Sequence, residues 1–291
     1  MENDHAEEPG ALAEVKRVRA MAEPGQRGRR ATELIEEYDA ARIELARIRR
    51  EALDELVRSG LSQNEAAERF GLTKGRISQI KKVGPPIERA FLGTAGLTVA
   101  LPLKLDAEYK RHALASEDVE VWDRLKQLAE DNQLKATREL ISPPGDIDLN
   151  RPDLLVVCGP KLSPHVAAVL ATDPAIQFER TDEGRFYLRD LRTDARFDSP
   201  GDVTSRQADY AYLARLERPD RRGGVLILTG IHAVGSAGVV HYLERHLAEI
   251  YDQVKRRRFS AIFEAEYDSN RQITGCQLVT PLYEHEEVAD A

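Results

Sequence analysis

The chain is predicted to be an α/β protein. An N-terminal all-α helix-turn-helix domain is followed by a larger, Rossmann-like domain built on a mixed sheet. Three observations carry this expectation. Residues 31–59 contain no glycine or proline and repeat apolar side chains at helical spacing. The stretch "LSQNEAAERFGLTKGRISQIKK" (61–82) has the punctuation of two short helices. From about residue 94, short apolar runs alternate with helical segments, the pattern of a layered α/β sheet.

Taken in order, residues 1–28 are polar, interrupted by Pro9, Gly10, Pro24 and Gly25, and read as a flexible tail with at most one short helix. Residues 29–84 form the helical domain. Within it Ala31, Leu34, Tyr38, Ala41, Leu45, Ile48 and Ala52 recur in steps of three and four, a heptad-like seam. Such a seam pairs two copies of the chain or packs on its own domain; both readings stay open. The run "VGPPIER" interrupts the helices, and residues 85–96 are expected to be a linker.

Residues 97–286 form the α/β domain. "LTVALPLK" reads as a strand, and "SEDVEVWDRLKQLAED" as a helix with Ser116 as its N-cap. "ATRELIS" and "DLLVVCG" are strands separated by the loop "PPGDIDLNRP", and a short helix follows over Val166–Leu170. "IQFER" and "RFYLRD" flank "TDEG" as a hairpin. "DYAYLARL" and "VLILTG" are strands around "RPDRRGG", and a helix runs from Ser236 to Arg257. "FSAIFEAEYD" and "QITGCQLVTPLY" close the chain as an antiparallel pair.

Composition narrows the function. The net charge of −8 over 291 residues excludes a chain that coats nucleic acid or an anionic membrane along its whole length. DNA contact must therefore come from a local patch. Cys158 and Cys276 lack metal-ligand spacing, and His241 and His246 stand five apart, off a shared helix face. No metal or cofactor is called for. The longest uncharged run, "GGVLILTGIHAVGSAGVVHYL", holds five glycines and two histidines, which fits a buried strand, turn and helix better than a membrane span. The start of the chain lacks a secretory signature, so a cytoplasmic location without membrane attachment is expected.

The local patch lies at 61–82. Five basic residues and no acid fall between Arg69 and Ile87. Ala67 precedes Gly71 by four, as a small residue in the first helix and a glycine in the turn require. With Ile77 and Ile80 inward, Lys74, Arg76, Ser78, Gln79 and Lys82 remain for the outer face; Arg76 suits guanine and Gln79 adenine. Thr73 caps the second helix. Ser62 and Gln63 at the start of the first are placed for backbone phosphate.

The "G-L-S-x-x-E-A-A" entry, "F-G-L-T" turn and "R-I-S-Q-I" segment resemble the helix-turn-helix of the fourth region of bacterial sigma factors and of regulators built on it. The resemblance spans about 25 to 50 residues and implies duplex DNA binding through Lys74, Arg76, Ser78 and Gln79. Gly75 departs from a good recognition helix, at about 1 kcal/mol of propensity against alanine. No other sigma-factor region is evident, so promoter melting is not expected.

Two glycine loops, "CGPKLSP" (158–164) and "TGIHAVGSAG" (229–238), each follow an apolar strand and open a helix, where anions bind in α/β sheets. Gly159, Lys161, Ser163, Gly230, His232, Ser236 and Gly238 are the candidate ligand residues. Neither loop carries a Walker lysine, a dinucleotide fingerprint or a nucleophile elbow. The expected protein is a sequence-specific, homodimeric DNA-binding regulator whose α/β domain senses a phosphate-containing or anionic effector or mediates assembly. No catalytic residue is assigned. An enzyme acting on a nucleotide-type substrate with a DNA-binding head, and a protein-binding scaffold, stay open.

Overall fold

The structure is a computed structural model that describes residues 10–106 and 111–285. The chain divides at the Gly84–Pro85 junction into two compact units.

In the first unit the described residues are helical: α1 (Gly10–Ala20), α2 (Pro24–Arg58), α3 (Gln63–Arg69) and α4 (Lys74–Val83). The expected tail is thus helical from residue 10; residues 1–9 lie outside the described residues. Proline and glycine at 24 and 25 did not mark coil. Pro24 occupies the first turn of α2, where its missing N–H has no helical partner to lose, and the Glu23 carboxylate accepts from the backbone N–H of Gly25 and Gln26. α1 lies against α2: Val18 and Leu34 are buried, Tyr38 donates to Ala11 O at 3.2 Å, and Arg30 meets Glu14 at 3.2 Å.

A second, small core joins the C-terminal part of α2 to α3 and α4. It consists of Leu53, Ala66, Ala67, Ile77 and Ile80, edged by Leu56, Val57, Phe70 and Leu72. The small side chains of Ala66 and Ala67 let α3 approach closely. Between α3 and α4 Gly71 takes φ +62°, left-handed backbone that glycine tolerates best.

The second unit begins with α5 (Arg89–Leu92). Residues 85–96 are therefore no free linker. Ala90, Phe91 and Leu92 enter the core, and the buried Arg89 donates to Gln133 O and Thr94 O at 3.1 and 2.9 Å. Then come β1 (Leu97–Pro102), β2 (Lys104–Asp106), β3 (Arg111–Ala113), α6 (Ser116–Asp131), β4 (Ala136–Ile141), β5 (Leu154–Val156) and α7 (Pro164–Leu170). A three-stranded antiparallel sheet follows, β6 (Ile176–Arg180), β7 (Phe186–Asp190) and β8 (Ala195–Asp198). The chain continues as α8 (Pro200–Val203), β9 (Ala208–Glu217), β10 (Gly224–Gly230), α9 (Ala233–Val254), β11 (Phe259–Tyr267), β12 (Ile273–Leu278) and β13 (Tyr283–Glu284).

Eight strands form one mixed sheet in the order β12-β11-β9-β10-β5-β1-β4, with β13 also on β11. β4, β1, β5 and β10 are parallel, while β10-β9-β11-β12 are antiparallel. Side chains alternate between two cores. Val99, Leu101, Leu226 and Leu228 face the side covered by α6 and α9; Ala100, Val156, Val225 and Ile227 face the side of α7. Burial on both faces explains why these strands are continuous apolar runs. The helix expected over Ser116–Asp131 has those bounds, but its N-cap is Ala115 and not Ser116, whose hydroxyl donates to Glu117. Among the described residues no helix is long and apolar enough to cross a membrane.

Candidate functional site

The four parallel strands end at one edge of the sheet. From β1 the chain crosses through α6 to β4 on one side; from β5 it passes through α7 and the three-stranded sheet to β9 on the other and returns to β10 by a hairpin. Connections that diverge in this way leave a crevice beyond the strand ends. Here it is a cavity of about 660 Å³. Both glycine loops reach it: Gly159 and Lys161 after β5, and Gly230, His232 and Ser236 around the end of β10, all line its wall.

The second loop is built by close approach. A Cβ on Gly230 would stand 2.1 Å from His232 O, so a side chain there would displace the turn. Ser236 Oγ accepts from Gly230 N–H at 2.9 Å, and Asp209 Oδ2 accepts from His232 N–H at 2.8 Å. Burial holds the Asp209 carboxyl well above the usual carboxylate range. His232, the N-cap residue of α9, makes no side-chain cap, and Ala233 at the first position of the helix lines the cavity. The first-turn N–H groups and the helix dipole favour an anion at this point.

Two expected ligand residues do not line the cavity. Ser163 is buried, donates to Gly145 O at 2.6 Å and accepts from Val166 N–H at 3.3 Å; it caps the seven-residue α7. Gly238 faces the sheet, where a Cβ would sit 2.2 Å from Ala265 Cβ. Its role is to let α9 approach β11. Gly238→Val should therefore overpack this contact and cost about 1–3 kcal/mol of stability, read by urea unfolding. A full-stability variant would show that α9 has room to shift.

Residues not foreseen complete the wall. Lys104 of β2 and Asp118 in the first turn of α6 face the cavity as an ion pair, Nζ to Oδ2 3.2 Å. Asp118 is 3% exposed, and burial raises its pKa against the lowering effect of Lys104. Cys158 also lines the cavity, but burial pushes its thiol up to about 12, leaving it protonated at neutral pH. A second cavity of about 230 Å³ shares Lys161, Phe186, Ile231 and His232 with the first and adds Arg180 and Arg185. Arg180 lies over the Phe186 ring at 4.3 Å, and His232 Nε2 is 2.9 Å from Asp202 Oδ2. Among the described residues Lys161 has no carboxylate within ion-pair distance, and no group of three His, Cys, Asp or Glu could hold a metal ion.

In the helical unit, Lys74, Arg76, Ser78, Gln79 and Lys82 are all exposed, on the side of α4 opposite the buried Ile77 and Ile80. Arg76 Nη1 donates to Gln79 Oε1 at 2.6 Å. Thr73 caps α4 by accepting from Arg76 N–H at 3.2 Å. Ser62 caps α3 in a reciprocal box: its Oγ accepts from Glu65 N–H and its N–H donates to Glu65. Gln63 follows in the first turn, exposed. No protein-family model, no curated protein and no solved structure matches the chain, so the two sites are read from their own geometry.

Proposed function

We propose that the protein is a sequence-specific DNA-binding transcriptional regulator acting as a homodimer, with an α/β unit that holds an anionic small-molecule effector. The observation that carries this reading is the exposed row Lys74, Arg76, Ser78, Gln79 and Lys82 on a short helix. That helix is braced through a glycine turn by a second one with small residues at the contact. This is the arrangement a helix-turn-helix uses to lay one helix in the major groove. The likeness of 61–82 to the fourth region of sigma factors supports it. The convergence of both glycine loops on one cavity, at the divergence of four parallel strands, supports an effector site and a Rossmann-like reading of that half of the sheet. The two free cysteines fit a reducing, cytoplasmic setting.

One such helix makes few contacts, so useful affinity calls for two copies. Tyr38, Leu45 and Ile48 of the seam are 38%, 66% and 46% exposed, which is unusual for large apolar side chains on one helix face. On the same heptad Glu37 and Arg42 fall at the g and e positions, where opposite charges of two parallel copies meet. The test joins both parts. Wild type should sediment as a dimer and protect two half-sites about one helical turn apart. Leu45→Asp should release folded monomers and weaken protection at least tenfold. A wild type that protects no duplex sequence ends the regulator reading; a Leu45→Asp variant that stays dimeric moves the contact off α2.

A second reading, an enzyme acting on a nucleotide, is favoured by the His232–Asp202 pair on the wall shared by both cavities, an acid–base couple beside the anion-accepting turn. Turnover of a bound nucleotide, lost in His232→Gln, would establish it.

A further inference from the structure

We propose that the effector is a nucleoside diphosphate or a compound containing one, bound with its phosphates at the Lys161–Arg180–Arg185 end and its nucleoside against Asp118. This rests on the effector reading above and names the ligand class.

The two ends of the site differ in chemistry. At one end Lys161 and Arg180 stand exposed, Arg185 is only 3.6 Å from Glu183 on an open surface, and α9 presents its uncapped first turn. With Arg185 shared by Glu183 and Asp202 held by His232, Lys161, Arg180 and a helix N-terminus remain for the ligand, more than a single carboxylate requires. They suit two adjacent phosphates, each with several acceptor oxygens. The smaller cavity gives these groups room beside the main one, and the two share Lys161 and His232.

At the other end the requirement is reversed. Asp118 is nine-tenths buried and has Lys104 Nζ at 3.2 Å as its ion-pair partner, but no contact of hydrogen-bond geometry reaches its Oδ2, which has room for a further donor. A buried acceptor gains from each well-directed donor it is given. A ligand carrying O–H or N–H groups would satisfy it, and a sugar diol or a base amino or imino group carries them. The surrounding wall, Leu103, Leu105 and the prolines 102, 143 and 144, is apolar and offers the flat contact a base needs.

The span agrees. Lys104 follows β1 and Asp118 opens α6, while the glycine turn ends β10, and β5 lies between β1 and β10. Neighbouring strands are about 4.8 Å apart, so β1 and β10 stand about 10 Å apart. A bare phosphate or pyrophosphate cannot reach both ends, whereas a nucleoside with two phosphates does.

Calorimetry and thermal shift on the full chain, with ADP, GDP, CDP, UDP and inorganic pyrophosphate as probes, test the assignment. At least one nucleotide should bind ten or more times more tightly than pyrophosphate. Asp118→Ala, which leaves no acceptor, should remove that margin and leave pyrophosphate binding unchanged. Leu105→Trp, a larger side chain at an exposed position on the wall of the nucleoside end, should do the same. Lys161→Ala combined with Arg180→Ala should weaken nucleotide and pyrophosphate alike. If no nucleotide exceeds pyrophosphate, or if both nucleoside-end variants keep the margin, the nucleoside assignment is overturned and the anionic-effector reading stands. If neither pyrophosphate nor any nucleotide binds, the effector reading itself fails and this one with it.

Discussion

Asp173→Ala should be the most damaging single change in the α/β unit, at about 3–5 kcal/mol. The carboxylate is buried between α7 and β6 and accepts from Tyr212 Oη at 2.6 Å, Ser260 Oγ at 3.1 Å, Ala175 N–H at 2.8 Å and Ile176 N–H at 3.2 Å. His285 Nε2 stands 3.4 Å away and 3.0 Å from Ser260 Oγ. One side chain thus ties a loop to two central strands and to the last described segment. Burial raises the Tyr212 phenol far above its ordinary pKa and lowers that of the His285 imidazole. The phenol therefore depends on the carboxylate, and the imidazole on Ser260 Oγ, for a hydrogen-bond partner. Alanine leaves the tyrosine hydroxyl and the Ala175 and Ile176 N–H groups without their acceptor, each at about 1–3 kcal/mol, while Ser260 keeps only His285. For a unit of this size the melting temperature should fall by roughly 10 °C. Asp173→Asn, which keeps one carbonyl acceptor, should fall by less. A drop under about 3 °C for alanine would mean that water or a neighbouring donor replaces the carboxylate.

Removing Arg76 and Gln79 together should lower affinity for the specific duplex by about thirtyfold or more. Each side chain, paired bidentately with its base, contributes about 1–3 kcal/mol of discrimination, and a tenfold change in affinity is about 1.4 kcal/mol. The two side chains hold each other: the Arg76–Gln79 bond presents them as one unit, so the single variants should not add to the double. Lys82→Ala supplies the contrast. At the exposed end of α4 it is placed for phosphate, so its loss should weaken all sequences alike and reduce the salt slope by about one. A double variant that binds its site with wild-type affinity would remove α4 from the recognition role.

The strands that were legible in the sequence are those buried on both faces. Runs such as Leu97–Leu101 and Val225–Leu228 have few ways to be anything else once glycine and proline bound them. β8 was not legible because Ala195–Asp198 is half-buried and polar at alternate positions, indistinguishable from a loop until β7 is beside it. α1 and the start of α2 were hidden by glycine and proline that act as helix starts. In the candidate site the glycine loops could be found because a strand-turn-helix junction leaves a local pattern. Asp118 and Lys104 could not. In sequence Asp118 is an ordinary first-turn acid, and its burial follows from the packing of α6 on β1. Ser163 and Gly238 were drawn in by position alone: a serine before a helix is as good a cap as a ligand, and a glycine inside one is as good a contact surface as a cradle.

α2 runs for 35 residues, about 52 Å, without a break. It carries the exposed residues Leu45 and Ile48 and, further along, Leu53 at the centre of the small core beneath α4. No hinge intervenes, so the spacing between them is counted in residues. One residue inserted after Ile48 would rotate α4 by about 100° about the α2 axis relative to Leu45 and advance it about 1.5 Å. Seven would nearly restore its facing while carrying it about 10 Å further along. The helix between Leu45 and Leu53 therefore acts as a gear train. It sets the angular phase at which two copies joined at Leu45 would present their α4 helices, and with it the spacing of any pair of half-sites they can read at once.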